Sequence, residues 1–183
     1  MTVKQHTPSN FHVWFDYETI KKRNAELGEE ISKFYNENYP GEDVLCVGLL
    51  RGAVYFLVDL TREMSVPLTV DFMTVSSYGS GTESTLNVKI LKDLDTDIAG
   101  KNVLIIEDII DTGHTLHKVR KMLLDRNPKS LHIVTCCDKP ERRLVEVPVD
   151  WVGFEVENKF TVGYGFEVDQ KFRNVTAIGY CED

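Results

Sequence analysis

The sequence lacks the features that mark a secreted or membrane-spanning protein. Its first ten residues, MTVKQHTPSN, contain no apolar signal core, and no apolar run approaches the roughly 18 residues of a membrane span. The four cysteines show no CxxC spacing, so we expect reduced cysteines that serve in packing. Together these absences predict a cytoplasmic protein that has no membrane partner.

The sequence also lacks the fingerprints of two common nucleotide sites. Residues 79–84, GSGTES, miss the third glycine of a dinucleotide-binding motif. The GKS or GKT of a Walker-type phosphate loop does not occur either. The absence of both motifs therefore argues against an NAD site and an ATP site.

Positive charge is scarce in this chain. There are 21 Lys and Arg residues against 29 Asp and Glu, so the formal net charge is −8. This balance opposes nonspecific attraction to nucleic acid, which we do not expect as a partner, and it also opposes a polyanionic substrate. A phosphate site must therefore concentrate positive charge locally, through magnesium, helix N-termini or placed residues such as Arg51, Lys139 and Arg173.

The length of 183 residues fits one domain that buries roughly 70% of its unfolded surface. Internal repeats, low-complexity segments and dividing linkers are missing from the sequence. We expect one domain over residues 1–183, with a core of about residues 40–150. The N-terminal segment and about residues 155–183 are expected to form a small hood, with a cleft between hood and core.

Hydrophobic patterning predicts alternating strands and helices. One helix is predicted from near Asp16 to Asn38, because its apolar residues recur on one face. Another passes through Phe56, Leu57 and Leu60. Strands are predicted at residues 44–50, 68–76, 87–95, 131–137 and 151–156, the second and third as a long hairpin. This alternation favours an α/β fold with a largely parallel sheet flanked by helices.

The most informative run is residues 103–115, VLIIEDIIDTGHT. Its first four residues read as a strand buried on both faces, which places Glu107 and Asp108 at the sheet edge where α/β folds bind ligands. The N–H groups behind Asp111, Thr112 and Gly113 open a helix and can hold a phosphate. In the alternative interpretation, these residues serve strand-end solvation and helix capping, with Asp111 in an Asx turn.

The run resembles the phosphoribosyl-diphosphate (PRPP) motif of the purine phosphoribosyltransferases, and within that family the hypoxanthine-guanine group. Agreement in order and spacing extends from about residue 44 to residue 179. The resemblance implies the type I phosphoribosyltransferase fold, which is an α/β fold with a mostly parallel central sheet, flanking helices and a small hood. It also implies a homodimer or homotetramer that uses magnesium and transfers phosphoribose from PRPP to hypoxanthine or guanine, yielding IMP or GMP plus pyrophosphate.

The resemblance assigns roles on the phosphoribosyl side of the site. Asp111 is the expected catalytic general base or acid at an imidazole-ring nitrogen of the purine. Glu107 and Asp108 are expected to hold the ribose hydroxyls, directly or through magnesium. The residues expected to bind PRPP around its 5-phosphate are Asp111, Thr112, Gly113, His114 and Thr115. Those expected around its pyrophosphate are Leu50, Arg51, Gly52 and Arg173.

On the base side, Lys139 is expected to hydrogen-bond the six-position oxygen, which favours an oxopurine over adenine. Phe160 is expected to stack on the base, and Thr161 to offer backbone contacts to its edge. Glu167 takes the position of a metal-binding or base-edge acidic residue, where relatives commonly carry Asp. The resemblance thus makes Glu167 a candidate both for binding magnesium and for binding the purine, with one methylene more than Asp.

Ser77 and Tyr78 correspond to the start of a mobile loop that closes over the reacting centre. Closure would exclude water and so prevent hydrolysis of PRPP. Leu86 stands where relatives are expected to carry a small residue or glycine.

Two other functions remain open at this point. One is a regulatory protein that keeps this fold, binds RNA or DNA and responds to nucleotides. The other is a transferase that prefers xanthine or a non-purine acceptor. The acidic composition, together with Asp111 and Lys139, argues against the regulator. The sequence does not rank the oxopurines.

Overall fold

A computed structural model describes residues 6–78 and 87–182. Within these residues the chain forms nine strands and three α-helices. The strands are β1 (Phe11–Phe15), β2 (Val44–Leu50), β3 (Leu68–Tyr78), β4 (Asn87–Lys92), β5 (Asn102–Ile110), β6 (Ser130–Asp138), β7 (Trp151–Glu155), β8 (Phe160–Val162) and β9 (Ile178–Cys181). The helices are α1 (Tyr17–Asn38), α2 (Val54–Glu63) and α3 (His114–Leu124), and a 3-10 helix spans Pro140–Arg142.

Six strands form one large sheet in the order β4-β3-β2-β5-β6-β7. The pairs β2–β3, β2–β5, β5–β6 and β6–β7 are parallel, whereas β3 and β4 are antiparallel. Helices α2 and α3 connect parallel strands, as crossover connections require. The predicted α/β fold with a mostly parallel central sheet is confirmed.

Alternate residues of β5 face opposite sides of the sheet. Leu104 and Ile106 belong to the apolar cluster beneath α1 and α2, whereas Val103 and Ile105 belong to the cluster beneath α3. All four side chains are fully buried. A strand covered on both faces needs an unbroken apolar run, which explains why the sequence shows no polar alternation here.

The predicted first helix is confirmed as α1. Asp16 is its N-cap, and the Asp16 side chain accepts a hydrogen bond from the Thr19 N–H at 2.9 Å. The helix ends at Asn38, just before Pro40, a residue that cannot continue a helix. Among the described residues, no helix combines the length and the apolar character that crossing a membrane requires.

Strand β5 is longer than the sequence predicted. It continues through Glu107 and Asp108 to Ile110, because Ile109 and Ile110 pair with the last two residues of β6. Glu107 and Asp108 therefore lie inside the strand, close to its C-terminal end, and not after it. Asp111 is the first residue beyond the strand.

The two strands of the predicted hairpin end at different residues in the structure. β3 runs two residues further than expected, and β4 ends at Lys92 instead of residue 95. The buried Asp71 carboxylate explains the early end of β4, because it accepts the N–H groups of Asp95 at 3.0 Å and Thr96 at 2.9 Å and so turns the chain away from the ladder. The hairpin tip at 79–86, which includes Leu86, lies outside the described residues.

A second sheet has three antiparallel strands in the order β1-β9-β8. Cys181 of β9 pairs with Phe11 on one side and with Phe160 on the other. Ile178 of β9 is fully buried in the same apolar cluster as α1 and α2. These strands come from the segments assigned to the hood, and the division of the chain into one core and one hood stays a prediction.

We expect Leu104→Ala to lower the free energy of unfolding by about 3 kcal/mol, because it leaves a cavity in a strand packed on both faces. Urea denaturation followed by circular dichroism measures this change. The control is Leu144→Ala, since Leu144 is 62% exposed, and it should change the free energy by no more than about 0.5 kcal/mol. Equal losses in the two variants would contradict the assigned core.

Candidate active site

The candidate site lies where three parallel strands of the large sheet end. Strands β2, β5 and β6 end at Leu50, Ile110 and Asp138, and parallel strands direct their carboxyl ends to one edge. The Lys139 N–H donates to the Ile110 carbonyl at 3.0 Å. This bond holds the segment after β6 beside the segment after β5, so side chains far apart in sequence become neighbours.

Glu107 and Asp108 form a partly buried acidic pair. Burial and then the neighbouring Asp108 carboxylate raise the pKa of Glu107 well above its usual range. Burial also raises the pKa of Asp108, although hydrogen bonds from Glu107 and from the Ile109 N–H oppose this rise. Within the described residues, the Glu107 Oε2 atom is buried and has no hydrogen-bond partner. The pair thus has acceptor capacity that the protein itself does not use.

Gly52 makes room for this pair. A Cβ atom at residue 52 would overlap the Asp108 carboxylate. Glycine, which has no Cβ, therefore allows the main chain after β2 to lie this close to Asp108. One residue earlier, the peptide bond between Leu50 and Arg51 is cis. The predicted pyrophosphate loop therefore lies directly against one of the predicted ribose-binding carboxylates.

The loop after β5 surrounds a pocket of about 200 Å³. Of the predicted phosphate-binding residues, Asp111, Thr112, Gly113 and Thr115 line this pocket, and His114 is the first residue of α3. Gly113 has φ of 86°, and a Cβ there would overlap the Val145 carbonyl. The N-terminus of α3 opens beside the pocket, which is a favourable place for an anion. Gly113 is the N-cap and no side chain caps the helix, so the alternative of Asp111 as a capping residue is wrong.

A second pocket, of about 480 Å³, is also lined by Asp111. Its lining comprises Asp111, Lys139, Arg142, Asn158, Lys159, Phe160, Cys181 and Glu182. The Lys139 side chain is buried, and its Nζ donates to the Lys159 carbonyl at 2.6 Å. Burial lowers the pKa of Lys139, while the nearby Asp111 carboxylate opposes this shift. Phe160 is 56% exposed, so its ring is available to a flat ligand.

Thr161 follows Phe160 in β8, and its side chain is buried. The Thr161 Oγ1 donates to the Lys159 carbonyl at 3.4 Å, which is the same carbonyl that binds Lys139. Three of the four base-side residues predicted from sequence, Lys139, Phe160 and Thr161, are therefore connected through one main-chain segment.

Asp111 is bound by two arginines that the sequence analysis did not single out. The Arg142 Nε donates to Asp111 Oδ1 at 2.5 Å, and the Arg143 Nε donates to the Asp111 carbonyl at 3.2 Å. Arg143 also pairs with Asp138 and is mostly buried, whereas Arg142 is half-exposed. Their sequence, KPERR, resembles an ordinary charged turn, so no local signal distinguishes these arginines from surface residues.

The predicted pyrophosphate residues Arg51 and Arg173 meet at a residue that the sequence did not indicate. Both guanidinium groups donate to Gln170 Oε1, at 3.0 and 3.1 Å. Arg173 also donates to the Gly165 carbonyl at 2.7 Å. Two positive side chains therefore converge on one acceptor position.

Glu167 lies beside these arginines. Its carboxylate accepts the Gln170 N–H and lies 3.8 Å from the Arg173 guanidinium. Across residues 6–78 and 87–182, no three His, Cys, Asp or Glu side chains come together as a metal-binding group. The structure thus brings Glu107 and Asp108 together as a pair, and a metal role for Glu167 stays a prediction.

Ser77 and Tyr78 are the last two residues of β3, and Tyr78 pairs with Asn87 of β4. The loop that they were predicted to begin lies outside the described residues. Their assignment to a closing loop stays a prediction.

Comparison with known proteins gives a consistent result. A family model described as the phosphoribosyl transferase domain matches residues 16–169. The hypoxanthine phosphoribosyltransferase of Salmonella typhimurium is 56% identical over 160 residues, which are 87% of this chain and 89% of the relative. The hypoxanthine-guanine phosphoribosyltransferase of Mycobacterium tuberculosis is 46% identical over 164 residues, 88% of this chain and 81% of the relative. The crystal structure of a hypoxanthine phosphoribosyltransferase from Staphylococcus aureus superposes with a TM-score of 0.88 at 42% identity, covering 93% of this chain and 91% of that one.

We expect Glu107→Gln to increase the free energy of unfolding at pH 7 by about 1 kcal/mol or more. The folded state raises the pKa of Glu107, so this side chain costs stability once the pH exceeds the ordinary glutamate range, and one pKa unit corresponds to about 1.4 kcal/mol. Urea denaturation at pH 4 and pH 7 measures the change, which should be smaller at pH 4. The exposed Glu29→Gln variant is the control. Equal stability of Glu107→Gln and wild type at pH 7 would disprove the assigned burial cost.

Proposed function

The chain belongs to the phosphoribosyltransferase family, and from that premise we propose that it transfers phosphoribose from PRPP to hypoxanthine or guanine, forming IMP or GMP and releasing pyrophosphate. The relatives named for this activity span most of the chain. The enzyme is thus a pentosyltransferase of purine salvage. The roles of its individual residues, given below, are part of the proposal.

One observation carries the assignment of the reacting centre. Asp111 lines both the pocket at the N-terminus of α3 and the pocket that contains Lys139 and Phe160. A 5-phosphate in the first pocket and a purine in the second would direct the ribose C1 and the base nitrogen toward the same carboxylate. This is the arrangement that glycosidic bond formation requires.

Asp111 then acts on a proton of the base. An oxopurine that bonds to the ribose through one imidazole nitrogen must release the proton of its imidazole ring, and a positioned carboxylate can accept it. Arg142 occupies Oδ1 of Asp111, so Oδ2 is the oxygen that faces this task. In the reverse reaction the same oxygen returns the proton.

Lys139 selects for oxopurines. Its ammonium group has three donors and uses one on the Lys159 carbonyl, so further donors remain for the six-position oxygen of hypoxanthine or guanine. Adenine presents an amino group there, which gives the ammonium no acceptor. The exposed ring of Phe160 stacks on the base.

Arg51 and Arg173 bind the pyrophosphate. Their shared acceptor, Gln170 Oε1, marks the position that a phosphate oxygen takes when PRPP binds. At an effective dielectric constant of 20, opposite charges about 4 Å apart gain about 4 kcal/mol, which is enough to overcome the repulsion from a net charge of −8. Local placement therefore outweighs composition.

Magnesium fits the acidic pair. Glu107 and Asp108 offer hard oxygen ligands, and the unpartnered Glu107 Oε2 is the kind of buried atom that a cation would satisfy. We propose that these two residues hold Mg²⁺ together with the ribose hydroxyls. When bound, the cation neutralises charge on the departing pyrophosphate. The homodimer or homotetramer that the family resemblance implies stays a prediction, as does the preference among hypoxanthine, guanine and xanthine.

We expect Asp111→Asn to lower turnover of hypoxanthine by about 100- to 10,000-fold, because the amide cannot accept the proton. The fold and the KM for PRPP should change little, since the amide keeps the shape of the carboxylate. Steady-state assays and circular dichroism measure these quantities. Asp125→Asn, at the exposed end of α3, should behave as wild type. Near-normal turnover of Asp111→Asn would remove this residue from the reaction.

We expect Lys139→Gln to lower kcat/KM for hypoxanthine and guanine by about ten-fold or more, because a neutral amide replaces a charged donor. The rate with adenine should stay low. Competitive assays with hypoxanthine, guanine, xanthine and adenine measure the preference, and the exposed Lys121→Gln is the control. A wild-type preference for adenine would contradict the role given to Lys139.

A further inference from the structure

Tyr164 connects the loop after β8 to two helices of the core. The side chain is 3% exposed, and its hydroxyl donates to Asp59 Oδ2 of α2 at 2.9 Å. The same hydroxyl accepts a hydrogen bond from Asn24 Nδ2 of α1 at 2.8 Å. Burial raises the pKa of Tyr164, so the hydroxyl stays protonated and remains a donor to Asp59. Nothing in the reaction described above uses this hydroxyl.

The backbone at Tyr164 shows that the loop is held in an unusual shape. Tyr164 has φ of 49°, and its neighbours Gly163 and Gly165 have φ of 90° and 105°. All three residues therefore have positive φ, a conformation that glycine adopts readily but that is unfavourable for tyrosine. A conformation of this kind persists only where surrounding contacts determine it. The buried hydroxyl bonds of Tyr164, together with the bond from its N–H to the Val175 carbonyl at 2.7 Å, supply these contacts.

The residue after Tyr164 lies against the predicted pyrophosphate loop. A Cβ on Gly165 would overlap the Gly52 carbonyl, so the two main chains are in direct contact. The Gly165 carbonyl accepts the Arg173 guanidinium at 2.7 Å, and the Gly165 N–H donates to the Arg173 carbonyl at 2.9 Å. A shift of Gly165 would therefore displace both Gly52 and the Arg173 guanidinium.

We propose that Tyr164 is a positioning residue for the pyrophosphate half of PRPP, and that its hydroxyl, fixed by Asn24 and Asp59, holds Gly165 so that Gly52 and Arg173 meet the diphosphate. This inference rests on the proposed function. It assigns the hydroxyl no contact with substrate. It also separates the two halves of the site, because the purine pocket has its own connections through Lys139 and Lys159.

The test is Tyr164→Phe, which removes one oxygen and keeps the ring. We expect the KM for PRPP to rise about ten-fold, which corresponds to about 1.4 kcal/mol, while the KM for hypoxanthine changes less than two-fold. The Kd of pyrophosphate, measured calorimetrically with magnesium present, should rise by a similar factor. The matched control is Tyr35→Phe: Tyr35 is 1% exposed in the same cluster, and its hydroxyl has no hydrogen-bond partner among the described residues. This control should leave all three constants within two-fold of wild type.

A second variant keeps the proposal testable if Tyr164→Phe folds poorly. Asp59→Ala removes the acceptor of the hydroxyl and leaves Tyr164 itself intact, so it should also raise the KM for PRPP selectively. The double variant should show little further loss, because the two side chains act through one hydrogen bond. An unchanged KM for PRPP in Asp59→Ala, or an equal rise in the constants for both substrates, would overturn the proposal. A failure of the proposed function would look different from a failure of this inference. In that case the wild-type protein itself would show no PRPP-dependent consumption of hypoxanthine.

Discussion

The pairing of β5 with β2 on one side and β6 on the other is the constraint on which the site depends. Both pairings are parallel and both faces of β5 are covered, so the strand has one register and one direction. The carboxylates of Glu107 and Asp108 and the loop at Asp111 then occupy fixed positions at the sheet edge. Apolar packing inside the sheet thus determines where the polar chemistry occurs.

The site also balances two opposing electrostatic demands. The acidic pair is partly buried, no cationic side chain among the described residues forms an ion pair with Glu107, and desolvation raises the pKa of both carboxylates. Two arginines nearby converge on a neutral amide oxygen. Each half of the site therefore carries charge that the folded chain alone does not fully compensate. In the proposed function, Mg²⁺ would supply the complementary charge at the acidic pair, and the diphosphate of PRPP would supply it at the two arginines.

Local pattern was sufficient to predict much of this fold. The extent of α1 and the burial of residues 103–106 follow from periodicity and capping, which are properties of short segments. The family motif located Asp111 and Lys139 because both lie in recognisable runs. The early end of β4 and the extension of β5 were missed, since they depend on Asp71 and on pairing with β6, which are long-range contacts. Gln170, Arg142 and Tyr164 were missed for the same reason, because their partners lie on other elements.

The small sheet has a consequence for the order in which the enzyme matures. Its middle strand, β9, pairs with β1 on one side and β8 on the other. Phe11 and Phe160 therefore gain their pairing partner only when Cys181 has been synthesised. During synthesis the large sheet has all of its strands by Glu155, well before β9 leaves the ribosome. Phe160 and Cys181 line the pocket that we propose for the purine, so that pocket is complete only after β9 has been made, whereas the loop at Asp111 belongs to the earlier segment. The proposed base pocket therefore depends on closure of the small sheet, whereas the loop at Asp111 depends on the large one.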